Sequence, residues 1–135
     1  MLALAVQSLM AFNLVCSGTS VVLTAKHSRS PEFRIDGDRG LRPMSAVYAI
    51  DLTSGRYCVD KCTETSPLAA VTYGEIVLED KADRFGGGTT YRSVNRESGA
   101  YSAYFDTKSR RKLKRVMIVG TCKTGPFSGF PKRVF

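Results

Sequence analysis

The sequence predicts an all-β domain, either a small antiparallel barrel or a two-sheet sandwich of about seven or eight strands. Three observations carry that expectation. Short β-branched and aromatic runs recur between Gly, Ser and Asn turn signals along the whole chain. No segment holds a sustained apolar stripe at helical spacing. Cysteines at 16, 58, 62 and 122 form an even set, which suits a small cystine-bearing scaffold in an oxidising compartment.

Residues 1–11 are read as a leader. The run Leu2-Ala3-Leu4-Ala5-Val6-Gln7-Ser8-Leu9-Met10-Ala11 is shorter than a membrane span of about 20 residues but has the length of a signal-peptide core. It lacks the basic residue that normally precedes such a core, so a first strand or short buried helix is the competing reading. No transmembrane segment is expected in the mature chain, and a periplasmic or secreted location follows from the leader and the paired cysteines. Residues 12–135 are expected to form a single domain.

Within that domain, Phe12 to Val15 and Val21 to Thr24 read as one bent strand or as two strands at a bulge around Ser17-Gly18-Thr19. Residues 26–43 carry Gly, Pro and charge without periodicity and read as a long loop anchored by Phe33 and Ile35. From Ala46 to Val59 the pattern is a hairpin, with Gly55 able to take the positive φ that its turn demands. Tyr91 to Phe105 nearly repeats it, with Ser98-Gly99 in the place of Ser54-Gly55. The chain is too short for a propeller, so two hairpins solving one steric problem is the better account. Gly74 to Leu78 gives a further strand, 81–88 a polar turn, and Ser66 to Val71 a possible short helix. Leu113 to Cys122 is apolar on both faces around Val116-Met117-Ile118-Val119, which places it centrally. The tail 125–135, with three phenylalanines among Gly and Pro, should wrap irregularly and plug one end of the core.

Four cysteines allow three pairings. Cys16 and Cys122 lie in the first and last strong strands, which are often neighbours in a closed β fold, so Cys16 with Cys122 and Cys58 with Cys62 is the favoured set. Zinc is the alternative, but the spacing Cys58-x-x-x-Cys62 departs from the common knuckle and His27 is the sole imidazole. A hydrolase would have to run through the same His27, in the charged stretch Lys26-His27-Ser28-Arg29, where a solvated role is the simpler one. Asp36 with Asp38, and Asp80 with Asp83, fit turn chemistry better than acid–base catalysis. Gly86-Gly87-Gly88 lacks the Lys and Ser or Thr of a phosphate loop. No catalytic residue, metal or cofactor is therefore expected.

Charge supplies the one binding signal. The formal net charge is +8, and the second half of the chain, from residue 68, holds thirteen of the twenty Lys and Arg against six acidic residues. Lys108-Ser109-Arg110-Arg111-Lys112-Leu113-Lys114-Arg115 concentrates six basic residues in eight. Such a run is either a solvated turn that guards the apolar strand after it, or a footprint for an anion. Lys108, Arg110, Arg111, Lys112, Lys114 and Arg115 are the anion-binding candidates. The expected partner is an envelope protein or an anionic polymer such as nucleic acid or lipopolysaccharide.

Leu14-Val15-Cys16-Ser17-Gly18-Thr19, the hairpin from Ile50-Asp51-Leu52 to Arg56-Tyr57-Cys58 with Cys62, and Phe127-Ser128-Gly129-Phe130-Pro131 together resemble small exported β-rich proteins of Gram-negative bacteria. In architecture the chain is also similar to small periplasmic lysozyme inhibitors, without their inhibitory motif. The resemblance implies an exported cystine-bearing β domain and carries over no catalytic or ligand residue.

Overall fold

The computed structural model describes residues 10–26, 34–35, 41–82, 88–108 and 112–131. All regular structure among them is β: β1 (Ala11–Lys26), β2 (Arg34–Ile35), β3 (Leu41–Asp51), β4 (Arg56–Val59), β5 (Ser66–Pro67), β6 (Ala70–Val71), β7 (Glu75–Ala82), β8 (Thr89–Asn95), β9 (Ala100–Lys108) and β10 (Lys112–Gly125). They form one antiparallel sheet curled into a half-barrel, with no second sheet facing it. Nine strands follow the path β5-β4-β3-β1-β10-β9-β8-β7-β6, and β2 pairs with β1 beyond the end of β3. The count exceeds the expected seven or eight because β2, β5 and β6 have two residues each, too few to leave a periodic trace in sequence.

β1 runs unbroken for 16 residues, so Ser17-Gly18-Thr19 is neither a bulge nor a break. It pairs β10 from Asn13↔Gly125 to Lys26↔Lys112, which makes the first and last long strands neighbours at the middle of the sheet. β10 is central, as its apolar run predicts, yet its outer side stays open and Val119 is 58% exposed there.

The two hairpin turns are built alike. Asp51 accepts hydrogen bonds from the Thr53 amide and the Ser54 hydroxyl, and Gly55 closes the turn at φ 69°. Asn95 accepts from the Glu97 and Ser98 amides, and Gly99 closes at φ 77°. An Asx side chain capping a turn that ends on a left-handed glycine explains the likeness between the two segments without a repeat.

Ser66 to Val71 is not helical. It lies across the two edges of the curl: Ser66 and Pro67 pair with β4, and Ala70 and Val71 pair with β7. Between them the Leu68 amide donates to the Gly55 carbonyl and the Ala69 amide to the Val77 carbonyl, both at 2.8 Å. Open strand edges offer stronger backbone partners than one helical turn could supply. In the 26–43 segment, read as a loop, Lys26 ends β1, Arg34 and Ile35 form β2, and Leu41 to Pro43 open β3. Pro43 sits where β3 has no second neighbour among the described residues, a position proline tolerates. His27, Asp36, Asp38, Asp83, Gly86 and Gly87 lie outside the described residues.

The core fills one half of the concavity. Phe12, Leu14, Tyr48, Ile50, Leu78 and Tyr101 are among its members, joined by both halves of the Cys16–Cys122 cystine. Cys16 and Cys122 are directly opposed in register, with Cα atoms 4.0 Å apart. Two residues on, Gly18 faces Gly120, and a Cβ on either would meet the backbone carbonyl of Val119 or Ser17 across the pair. Cys58 and Cys62 form the second cystine, so the favoured pairing is the one present and none of the four is free. Among the described residues no helix is long and apolar enough to cross a membrane.

Candidate binding site: the cationic mouth

The site follows from the pleat. Directly opposed residues in a sheet share a face, and alternate residues return to it. Starting from the buried Cys122, the concave face of β10 reads Cys122, Gly120, Ile118, Val116, Lys114, Lys112 and so passes from core to charge along one strand. Lys114 faces Thr24, which also pairs with Arg34; Ser20, opposite Ile118, pairs with Arg42. Lys81 pairs with Thr90, which faces Phe105. Arg34, Arg42, Lys81, Lys112 and Lys114 are exposed and share the concave side at one end of the sheet. Among the described residues Glu79 is the one carboxylate on that face at that end. Like charges gathered this way raise the local potential for an incoming anion.

This end is also where the curl stands open among the described residues. β3 is paired by β4 only from Tyr48 to Asp51, and β7 by β6 only at Ile76 and Val77. Above those positions the two edges have no strand between them among the described residues.

Below the cations lies a polar cluster at the top of the core. The Tyr48 and Tyr101 hydroxyls are 2.7 Å apart, and Arg92 donates from Nη1 to the Tyr48 hydroxyl at 2.8 Å. Tyr57 donates to Glu79 at 3.4 Å, and Arg92 Nη2 lies 3.9 Å from the same carboxylate. The Arg92 guanidinium stands 5.2 Å from the Phe105 ring centre, and its Nε is buried with no hydrogen-bond partner. Burial pulls Arg92 down, but Tyr48, Tyr101 and Glu79 more than offset it and hold the group above its ordinary value, firmly cationic. Burial, then Glu79, pushes Tyr57 up to about 12, and burial with the Tyr48 hydrogen bond raises Tyr101 as well. Both phenols stay protonated at neutral pH, as donors and not as nucleophiles.

The predicted basic residues divide. Lys112 and Lys114 join the concave set. Arg115 faces the convex side, where Nε and Nη2 make a two-pronged bond to Asp106 at 2.7 Å each and the guanidinium covers Tyr104 at 5.3 Å. The Asp106 hydrogen bonds raise Arg115 further, so this residue ties β9 to β10. Tyr104 stacks on Tyr91 outside the core, whereas Tyr101 and Phe105 pack inward. Lys108 is exposed on the convex side; Arg110 and Arg111 lie outside the described residues. Arg34, Arg42, Lys81 and Arg92 were not singled out from sequence. Arg92 left a faint signal, because it alternates with Val94 and so puts a charge on an apolar face.

A second concavity occupies the opposite end. It is a cleft of roughly 790 Å³ walled by Phe12, Leu14, Ile76 and Val94, with Phe127 of the tail at its lip. The described part of the tail, to Pro131, reaches the end of the core, held by Ser128 donating to Asn13 at 3.2 Å. Among the described residues that end is left partly open.

Fold and site define a cationic, doubly cystine-bridged β domain with one charged concave mouth. No protein-family model, curated protein or solved structure matches the chain.

Proposed function

We propose that this chain is an exported, non-catalytic β domain that binds an anionic partner at the cell envelope through the cationic mouth. One observation carries the reading: β2, β3, β7 and β10 bring five exposed cations to one side of one sheet end, where Glu79 is the one carboxylate among the described residues. Two cystines are compatible with an oxidising location outside the cytosol. Phenols held protonated and cysteines held as cystines favour binding over nucleophilic chemistry. The partner is an acidic protein surface on the first reading. An extended polyanion such as nucleic acid or lipopolysaccharide is the second, favoured by the six basic residues in eight that the sequence carries from Lys108 to Arg115.

Calorimetric titration with dextran sulfate tests the anion site without assuming a partner. Affinity should fall steeply with salt, and replacing Lys81, Lys112 and Lys114 by Ala should flatten that dependence by about two to three units of slope. Binding that ignores both salt and these lysines would defeat the proposal. A partner protein held by shape would lose much less with salt than the polymer.

A further inference from the structure

We infer that the mouth takes an anionic amphiphile, a single alkyl or acyl chain ending in a carboxylate, sulfate or phosphate. This rests on reading the mouth as an anion site and names the ligand class that fits it. Between the sealed core and the exposed cations the concave face carries an apolar strip that is only partly buried, flanked by Ser20 and Thr90. Val22 faces Val116, which in turn faces Phe105, and all three are only partly buried. Met44 and Ile118 beneath them touch the core with one side and are likewise not sealed. From Ile118 to Lys114 the strand climbs about 13 Å, so the apolar strip is long enough to run along an extended alkyl chain. A small inorganic anion at the lysines would leave this strip wet, and a neutral hydrocarbon on the strip would make no use of the positive potential of the mouth. A ligand with both parts satisfies both.

Arg92 marks the inner end of the strip, beside Ala103 and so at the level of Ile118. Its guanidinium has one good hydrogen bond, a long contact to Glu79 and a buried Nε without a partner, and it rests against Phe105 at the edge of the strip. Its fixed positive charge adds to the potential that draws an anionic ligand into the curl, while the head group stays with Lys114. Curvature selects against a macromolecular surface at this depth, because a flat partner meets the rim while the strip lies inside the curl. Among the described residues no strand bridges β3 and β7 here, which gives a slender chain lateral entry.

The test uses the full chain with dansyl-undecanoic acid followed by fluorescence, and with laurate, dodecanol and butyrate as competitors. The dansyl probe should brighten on binding and be displaced by laurate, with dodecanol and butyrate each weaker by at least about tenfold. Lys114→Met, which keeps the apolar stem, should weaken both the probe and dextran sulfate. The isosteric Val116→Thr should weaken the probe by about tenfold, because a buried hydroxyl replaces a methyl, and leave dextran sulfate as it was. If dextran sulfate binds and the dansyl probe does not, the amphiphile is wrong and the anion site stands; if neither binds, both fall. Probe binding that ignores Lys114→Met and Val116→Thr but falls with Phe127→Ser would move the ligand to the opposite cleft and overturn the inference. So would association with anionic vesicles without any binding of the monomeric probe.

Discussion

At one end of the curled sheet the concave positions are Phe12, Leu14, Ile50 and the Cys16–Cys122 cystine, none more than 9% exposed. At the other end, the continuing alternation along these strands gives Val22, Val116, Lys114 and Lys112, partly buried or exposed. The closed end is tied across its edges by Ser66 to Val71, and the open end has no such strap among the described residues. Apolar burial and exposed charge are thus separated along the length of the strands. The division is physical: apolar burial and loop closure act where the curl can close, and exposed positive charge collects where it does not.

The largest expected effect lies at the closed end. Replacing Cys16 and Cys122 by Ala should remove about 4 to 5 kcal/mol on a loop-closure model, because the bridge spans 106 residues of separation. The same change at Cys58 and Cys62, separated by four, should remove about 2 kcal/mol. Urea unfolding of the two double variants measures both, and equal losses would break the contrast. Next comes the glycine pair beside the cystine. Gly120→Ala puts a Cβ into the Ser17 carbonyl on a strand pinned two residues away, and should cost about 3 kcal/mol by the same assay.

The tyrosine cluster sits at the boundary between the two ends and sets an alkaline limit. Tyr57 binds its proton more tightly folded than unfolded, so its contribution is complete below pH 10 and is lost as pH rises from 10 through about 12. Tyr101 shifts in the same direction. Stability should drop by roughly 3 kcal/mol over that interval, with tyrosinate absorbance lagging behind that of free tyrosine until the chain unfolds. Titration of every tyrosine near pH 10 in the folded state would contradict the cluster. The smallest stability effect belongs to the open end: Lys112→Ala with Lys114→Ala should change unfolding by less than about 0.5 kcal/mol, while anion binding falls. A large loss of stability would mean that the mouth is structural.

Local signals were legible wherever chemistry is local. Gly55 and Gly99 announced their turns because only glycine takes positive φ freely, and the apolar run of β10 announced a central strand. The first-and-last-strand argument found the Cys16–Cys122 bridge, since long β ladders make such strands meet. Ser66 to Val71 escaped because two-residue pairings depend on edges far away in sequence. Arg115 looked equal to Lys114 in the basic run, yet the pleat turns consecutive residues to opposite faces and gives Arg115 a carboxylate partner. Arg34, Arg42 and Lys81 are isolated in sequence and gain meaning only through register.

The order of residues by itself determined an all-β chain, two glycine-closed hairpins, paired cysteines and an excess of positive charge, because dihedral preference, side-chain period and net charge are properties of short segments or simple sums. Tertiary structure alone decided that the sheet curls on itself, that it closes at one end, and that cations from distant strands share the open one. Those outcomes depend on strand register, and register is fixed by which buried faces and cystine halves can meet in space.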